Sequence, residues 1–130
     1  MKILGLDIGD KNIGVAISDK LETISIPLTV IKNNENTRDN LNKLIKENDI
    51  KIIVVGIPYT LKGTIGFQAK KVISFIDDVL EKFGLELVYI DERFTSKISK
   101  KVLGAKNRDG SVDKISASLI LDDYLNRKSK

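Results

Sequence analysis

A chain of 130 residues, 42% hydrophobic and 31% charged, is one domain's worth of sequence, and residues 1–130 read as a single unit able to bury a core. It has no cysteine and no histidine, which excludes disulfides, thiolate metal sites, histidine-ligated zinc hydrolases and every catalytic triad built on imidazole. The net charge of +4 is unevenly spread: residues 1–92 carry 12 Lys/Arg against 14 Asp/Glu, whereas residues 93–130 carry 10 against 4, a basic clustering that suits a polyanion such as nucleic acid.

In chain order, Lys2–Ile8 reads as a short apolar strand, Gly9-Asp10-Lys11 as a turn, and Asn12–Ser18 as a second strand with Ile13, Val15 and Ile17 on alternate positions. So short a link makes the pair an antiparallel hairpin. Thr23–Ile31 is a third strand whose Pro27 suits an edge. A helix is expected over Thr37–Asn48, with Leu41, Leu44 and Ile45 on one face and Asn36 or Thr37 as cap. Ile52–Val55, β-branched throughout and closed by Gly56, has the composition of a strand buried on both faces. After a loop over Pro58–Gly66, the stripe Val72, Ile73, Ile76, Val79, Leu80 and Phe83 predicts a helix running to Gly84. Leu85–Ile90 is a further buried strand. Ser96–Leu103 reads as a short helix, Ala105–Ser111 as a loop expected to be mobile, and Asp113–Leu125 as the closing helix. The order β-β-β-α-β-α-β-α-α predicts an α/β fold with a mixed five-stranded sheet and helices on both faces.

No apolar run approaches the ~20 residues of a membrane span, and Asp7 interrupts the first apolar stretch too early for a signal-peptide core. With the missing cysteine, these features point to a cytoplasmic protein without a membrane partner.

Chemistry must then come from carboxylates, hydroxyls, Lys, Arg or oxygen-bound metals. Asp7 closes an apolar strand, where an acid needs donors or a cation; a simple turn cap is the plainer alternative. Asp91 and Glu92 end another strand, and since neighbours on a strand point to opposite faces, only one of them can face Asp7 without a bulge. Asp113 stands at the start of the last helix, as its N-cap or beyond that as a ligand, and the small Ser116 and Ala117 one turn on allow that helix end to press against the sheet. Three acids ending separate elements form the kind of oxygen cage that takes Mg²⁺ or Mn²⁺. The glycines spell neither the dinucleotide fingerprint nor a Walker loop; Gly56-Ile57-Pro58 and Gly63-Thr64-Ile65-Gly66 flank a helix start that offers backbone N–H groups. Aromatic residues are scarce, so no single-strand stacking platform is expected.

Four blocks together resemble the YqgF group of Holliday-junction-resolvase-like nucleases, of ribonuclease-H fold. They are Gly5-Leu6-Asp7-Ile8-Gly9 with Ile13-Gly14-Val15-Ala16-Ile17-Ser18-Asp19; Val54-Val55-Gly56-Ile57-Pro58 with Gly63-Thr64; Ile90-Asp91-Glu92-Arg93-Phe94-Thr95-Ser96; and Val112-Asp113 with Ser116-Ala117 and Leu119-Ile120-Leu121. They span nearly the whole chain in the right order. Asn12 stands where many members carry Arg, and Ser116 where Ala is common. The resemblance implies a metal-dependent nuclease on branched DNA or on the 5′ end of precursor 16S ribosomal RNA. It places the catalytic and metal-holding acids at Asp7, Asp113 and one acid of the Asp91-Glu92 pair, of which Glu92 is taken for its longer reach and Asp91 is the alternate. In that reading Arg93, Lys97, Lys100, Lys101, Lys106 and Arg108 grip the nucleic acid. Monomer and homodimer both stay open. So do two rival classes: an actin-like kinase, which shares the first block but needs two domains, and a non-catalytic RNA-binding assembly factor.

Overall fold

The computed structural model describes residues 1–92 and 111–128. In chain order it has β1 (Lys2–Ile8), β2 (Asn12–Ser18), β3 (Ser25–Lys32), α1 (Thr37–Glu47), β4 (Ile50–Ile57), α2 (Phe67–Asp78), a 3₁₀ turn (Leu80–Phe83), β5 (Glu86–Asp91) and α3 (Ser111–Lys128). The strands form one sheet in the order β3-β2-β1-β4-β5. β2 is antiparallel to β1 and β3, while β4 runs parallel to β1 and β5.

The hairpin forms because Gly9 supplies a tight turn: its N–H donates to the Asn12 carbonyl at 2.9 Å, and a Cβ on Gly9 would lie 2.7 Å from that same oxygen. β4 and β5 are reached through α1 and α2, the crossovers that parallel strands require. Pro27 lies on β3, an edge strand, where its missing N–H costs no ladder bond in a central position.

Alternation along the central strands sorts the core into two layers. Leu4, Leu6, Ile13, Val15, Ile17, Ile53, Val55 and Ile57 face one way and pack with Leu41 of α1, with Ala69, Val72 and Ile76 of α2, and with Leu80. Ile3, Ala16, Ile52, Val54 and Ile90 face the other way and pack beneath Ala117, Ile120, Leu121 and Leu125 of α3. Helices therefore cover both faces, as the pattern of elements anticipates.

Some strand and helix ends move by a few residues from those expected, and three differences go further. The apolar stripe expected to make one helix as far as Phe83 breaks at Val79, where α2 ends and the 3₁₀ turn begins; Gly84 then reverses the chain at φ 70°. Neither Asn36 nor Thr37 caps α1 through its side chain. The Thr37 hydroxyl instead accepts from the Asn34 N–H and donates to the Lys32 carbonyl, fastening the helix start to the end of β3. Asp113 is not the N-cap of the last helix: α3 starts at Ser111, so Asp113 lies inside its first turn. The expected helix Ser96–Leu103 and the expected loop, as far as residue 110, lie outside the described residues.

Candidate active site

At the carboxyl ends of β1 and β4, the layer under α3 changes from apolar to acidic. Along β1 the residues on that face are Ile3, Gly5 and then Asp7. Gly14 of β2 is the direct partner of Asp7 in the ladder, and Gly56 of β4 follows Val55, the partner of Leu6, so it flanks Asp7 on the other side. Gly14, Asp7 and Gly56 thus form a row across the sheet with one side chain between two bare positions.

The bare positions are filled from outside the sheet. A Cβ on Gly14 would lie 1.9 Å from the backbone oxygen of Asp113 and 2.3 Å from its carbonyl carbon. The first turn of α3 therefore rests directly on β2 beside Asp7. A Cβ on Gly56 would lie 2.4 Å from Oε2 of Glu92 and 2.4 Å from Cδ1 of Ile120. The Glu92 carboxylate therefore occupies the space above Gly56, on the other side of Asp7. Gly5, one pleat back, brings α3 down in the same way, with a hypothetical Cβ 2.8 Å from that of Leu121 and 3.0 Å from the Ala117 oxygen. Glycine inside a strand marks a close approach by another element, and here these approaches set the positions of two acids.

Asp91 and Glu92 separate at the end of β5. Asp91 pairs with Ile57, a residue of the layer under α2, and alternation turns it to that side. The chain then leaves the strand: the Glu92 N–H donates to the Ile57 carbonyl at 3.1 Å, and its side chain is buried on the α3 side, over Gly56. Asp7 and Asp113 are half-buried. In the first turn of an 18-residue helix, Asp113 lies near the positive end of the helix dipole.

The rim past Asp7 is braced. The Asn33 side-chain amide donates to the Gly9 carbonyl at 2.8 Å, and the Asn33 N–H to the Lys11 carbonyl at 2.9 Å. Lys71 of α2 reaches Asp10 at 3.2 Å. Asp19, at the far end of β2, is held elsewhere: it accepts from the Thr23 and Ile24 N–H groups and from the Thr23 hydroxyl. These bonds, the hydroxyl's first, lower its pKa to about 2.

Asp7, Glu92 and Asp113 therefore come to one end of one sheet face, while Asp91 turns away from it. Arg93, Lys97, Lys100, Lys101, Lys106 and Arg108 lie outside the described residues. The donors suit a hard cation in kind, since all are carboxylates. As placed, no group of three acids among the described residues stands close enough to hold an ion. Reasoning from the sequence alone missed Gly14 and Gly56 as the spacers that set this geometry, although a glycine within a strand is the signal that points to them.

Comparison with known proteins agrees in length and in fold. The family model described as "RuvX: Holliday junction resolvase" matches residues 1–127. A protein of Thermoanaerobacter pseudethanolicus named "Putative pre-16S rRNA nuclease" is 41% identical over 133 aligned residues, covering 96% of each chain. A protein of the same name from Sulfurihydrogenibium is 42% identical, covering 98% of this chain and 92% of its own. Among solved structures, Thermus thermophilus RuvC in complex with a Holliday junction substrate superposes with a TM-score of 0.63 at 14% identity, covering 99% of this chain and 96% of RuvC. At that identity the likeness speaks for the ribonuclease-H-like fold alone.

Proposed function

This chain belongs to the Holliday junction resolvase family, nucleases that hydrolyse phosphodiester bonds, and we propose that it is a metal-dependent endonuclease whose task in the cytoplasm is to trim the 5′ end of precursor 16S ribosomal RNA. One observation carries the catalytic assignment: Asp7, the Glu92 carboxylate and the first turn of α3 bearing Asp113 are brought together by the Gly14 and Gly56 gaps. The names of the full-length relatives favour precursor ribosomal RNA as substrate over branched DNA.

In this reading Asp7, Glu92 and Asp113 would hold Mg²⁺ or Mn²⁺, which supplies an activated water and charge neutralisation at the leaving oxygen. Asp7, which lies between the positions of the other two, would be the central ligand. The first turn of α3 carries Asp113 to the site, and burial of Glu92 keeps that carboxylate out of solvent. Arg93, next in sequence to Glu92, would contact the scissile phosphate, with Lys97, Lys100, Lys101, Lys106 and Arg108 along the flanking backbone.

The test is cleavage of a 16S precursor carrying its 5′ leader, with a four-way DNA junction in parallel, by the wild type and by Asp7→Asn, Glu92→Gln and Asp113→Asn. Loss of cleavage in all three variants with RNA binding retained is the expected result. Binding by the wild type without cleavage at any Mg²⁺ or Mn²⁺ concentration would instead identify a non-catalytic RNA-binding factor. Cleavage of the junction alone would move the substrate to DNA.

A further inference from the structure

Between β4 and α2 the chain leaves the same end of the sheet that carries Asp7. Its loop is stiffened from within: the Thr60 and Thr64 hydroxyls share a hydrogen bond at 2.6 Å, the Thr64 N–H donates to the Thr60 hydroxyl, and the Thr60 N–H to the Thr64 carbonyl. Gly66 is pressed against Thr60, where a Cβ would come within 2.7 Å of the Thr60 methyl. A loop built this firmly nevertheless turns its apolar side chains outward. Leu61 is 75% exposed, Ile65 52% and Phe67 73%. Single exposed apolar residues are ordinary, but three within seven positions on a braced loop form a patch that suits a partner.

The charge around the patch names that partner's chemistry. From residue 58 to residue 76 the sequence has Lys62, Lys70 and Lys71 and no acid. The first turn of α2 has no acidic residue, and its N-cap Gly66 makes no side-chain capping bond. Lys71 lies over one face of the Phe67 ring, 4.5 Å from the centroid, and its ammonium is also bound by Asp10, three residues past Asp7. The ring is thus linked to the rim of the site through Lys71 and Asp10, with a cation on one side and an exposed remainder. An aromatic face beside lysines is what a nucleobase with its phosphates stacks upon.

We propose that Phe67 is a stacking site for an unpaired base of the substrate, flanking the scissile phosphate, with Lys70 taking an adjacent phosphate. The proposal rests on the nuclease reading above and deepens it: the substrate must offer a single-stranded nucleotide next to the cut rather than continuous duplex. It also revises the expectation that so few aromatics leave no stacking surface.

Binding is measured by fluorescence anisotropy on the wild-type chain in chelator, so that no cleavage intervenes. The probes are a blunt duplex and the same duplex with a single-stranded 5′ extension, each in RNA and in DNA form. Phe67→Ala should weaken binding of the extended probe about tenfold and leave the blunt probe within about twofold. Phe67→Trp should keep the affinity, and since the chain has no other tryptophan, its emission should be quenched by the extended probe only. The backbone chemistry that gives the quench identifies the source of the base. Unchanged emission, or an equal effect of Phe67→Ala on both probes, overturns the stacking site and leaves the nuclease reading intact. If the wild type binds no probe and cleaves none when metal is restored, the nuclease reading itself falls, and the stacking site with it.

Discussion

Adding one methyl group at Gly14 tests the link between packing and site most directly. Its Cβ would lie 1.9 Å from the Asp113 carbonyl oxygen, more than an ångström inside the closest approach that real Cβ atoms make. The obstacle is backbone, so no side-chain rotation relieves it; the first turn of α3 must lift from the sheet. Overpacking of this kind costs typically 1–3 kcal/mol, and contact with a helix backbone puts Gly14→Ala near about 3 kcal/mol. For a domain of this size that corresponds to a fall of about 10 °C in Tm. Because Asp113 rides on the displaced turn, cleavage measured well below the new Tm should fall by about 100-fold, the penalty of a misplacement near 1 Å. Gly84→Ala is the control: Gly84 takes φ 70°, which glycine adopts freely and alanine does not, and has nothing within 4 Å of its Cβ position. It should lose about 1 kcal/mol to left-handed strain and keep its rate. A Gly14→Ala variant that melts within about 2 °C of wild type would show that α3 does not rest on Gly14, and the account of how Asp113 reaches the site would fail.

The remaining predictions concern ions and charge. Mg²⁺ or Mn²⁺ should raise the Tm of the wild type with concentration by mass action, and Asp7→Asn should abolish that rise without lowering the metal-free Tm, as followed by a thermal melt. Replacing Lys97, Lys100 and Lys101 by Glu should weaken nucleic-acid binding and flatten its dependence on salt, since fewer counterions are released; an unchanged slope in a salt titration removes that segment from the interface. Asp19, with its folded pKa lowered to about 2, contributes stability present above the unfolded value of 3.8 and lost as the pH falls through 2. Thr23→Ala removes the largest cause, so an NMR titration should find the Asp19 pKa moved up toward 3.8. Glu22 is held below its usual pKa by Lys128 first and Lys51 second, so its contribution is present above 4.5 and lost on acidification. Glu22→Gln should lower the Tm at pH 7 by about 3–5 °C, and less so in high salt.

How much of this was legible beforehand depends on the range of the forces involved. The hairpin, the edge position of Pro27, the buried β4 and the two-layer core follow from local periodicity, because a strand repeats every two residues and a helix every 3.6. Burial acts on those periods wherever the chain folds. Residues 37–47 and 67–78 became helices on those grounds, and the order of elements leaves few topologies open once crossovers are right-handed. The break at Val79 was not legible: Val79, Leu80 and Phe83 keep the apolar spacing, and only their seating beneath the sheet tightens the turn.

The site divides in the same way. Composition alone, with no histidine or cysteine, restricted the chemistry to carboxylates, hydroxyls, Lys, Arg or oxygen-bound metals, and places at element ends pointed to Asp7, Glu92 or Asp91, and Asp113. Which acid of the pair turns toward Asp7 could not be read from alternation, because it depends on the chain leaving β5 after Asp91, held by the bond from the Glu92 N–H to Ile57. Asp113 likewise sits in the first turn of α3 and not before it, which no capping rule distinguishes. The spacer role of Gly14 and Gly56 was not legible in the sequence, since what fills the space of a missing side chain is decided by another element. Distances between residues some 99 positions apart, such as Gly14 and Asp113, come from the packing of a helix on a sheet. Only the tertiary structure sets them.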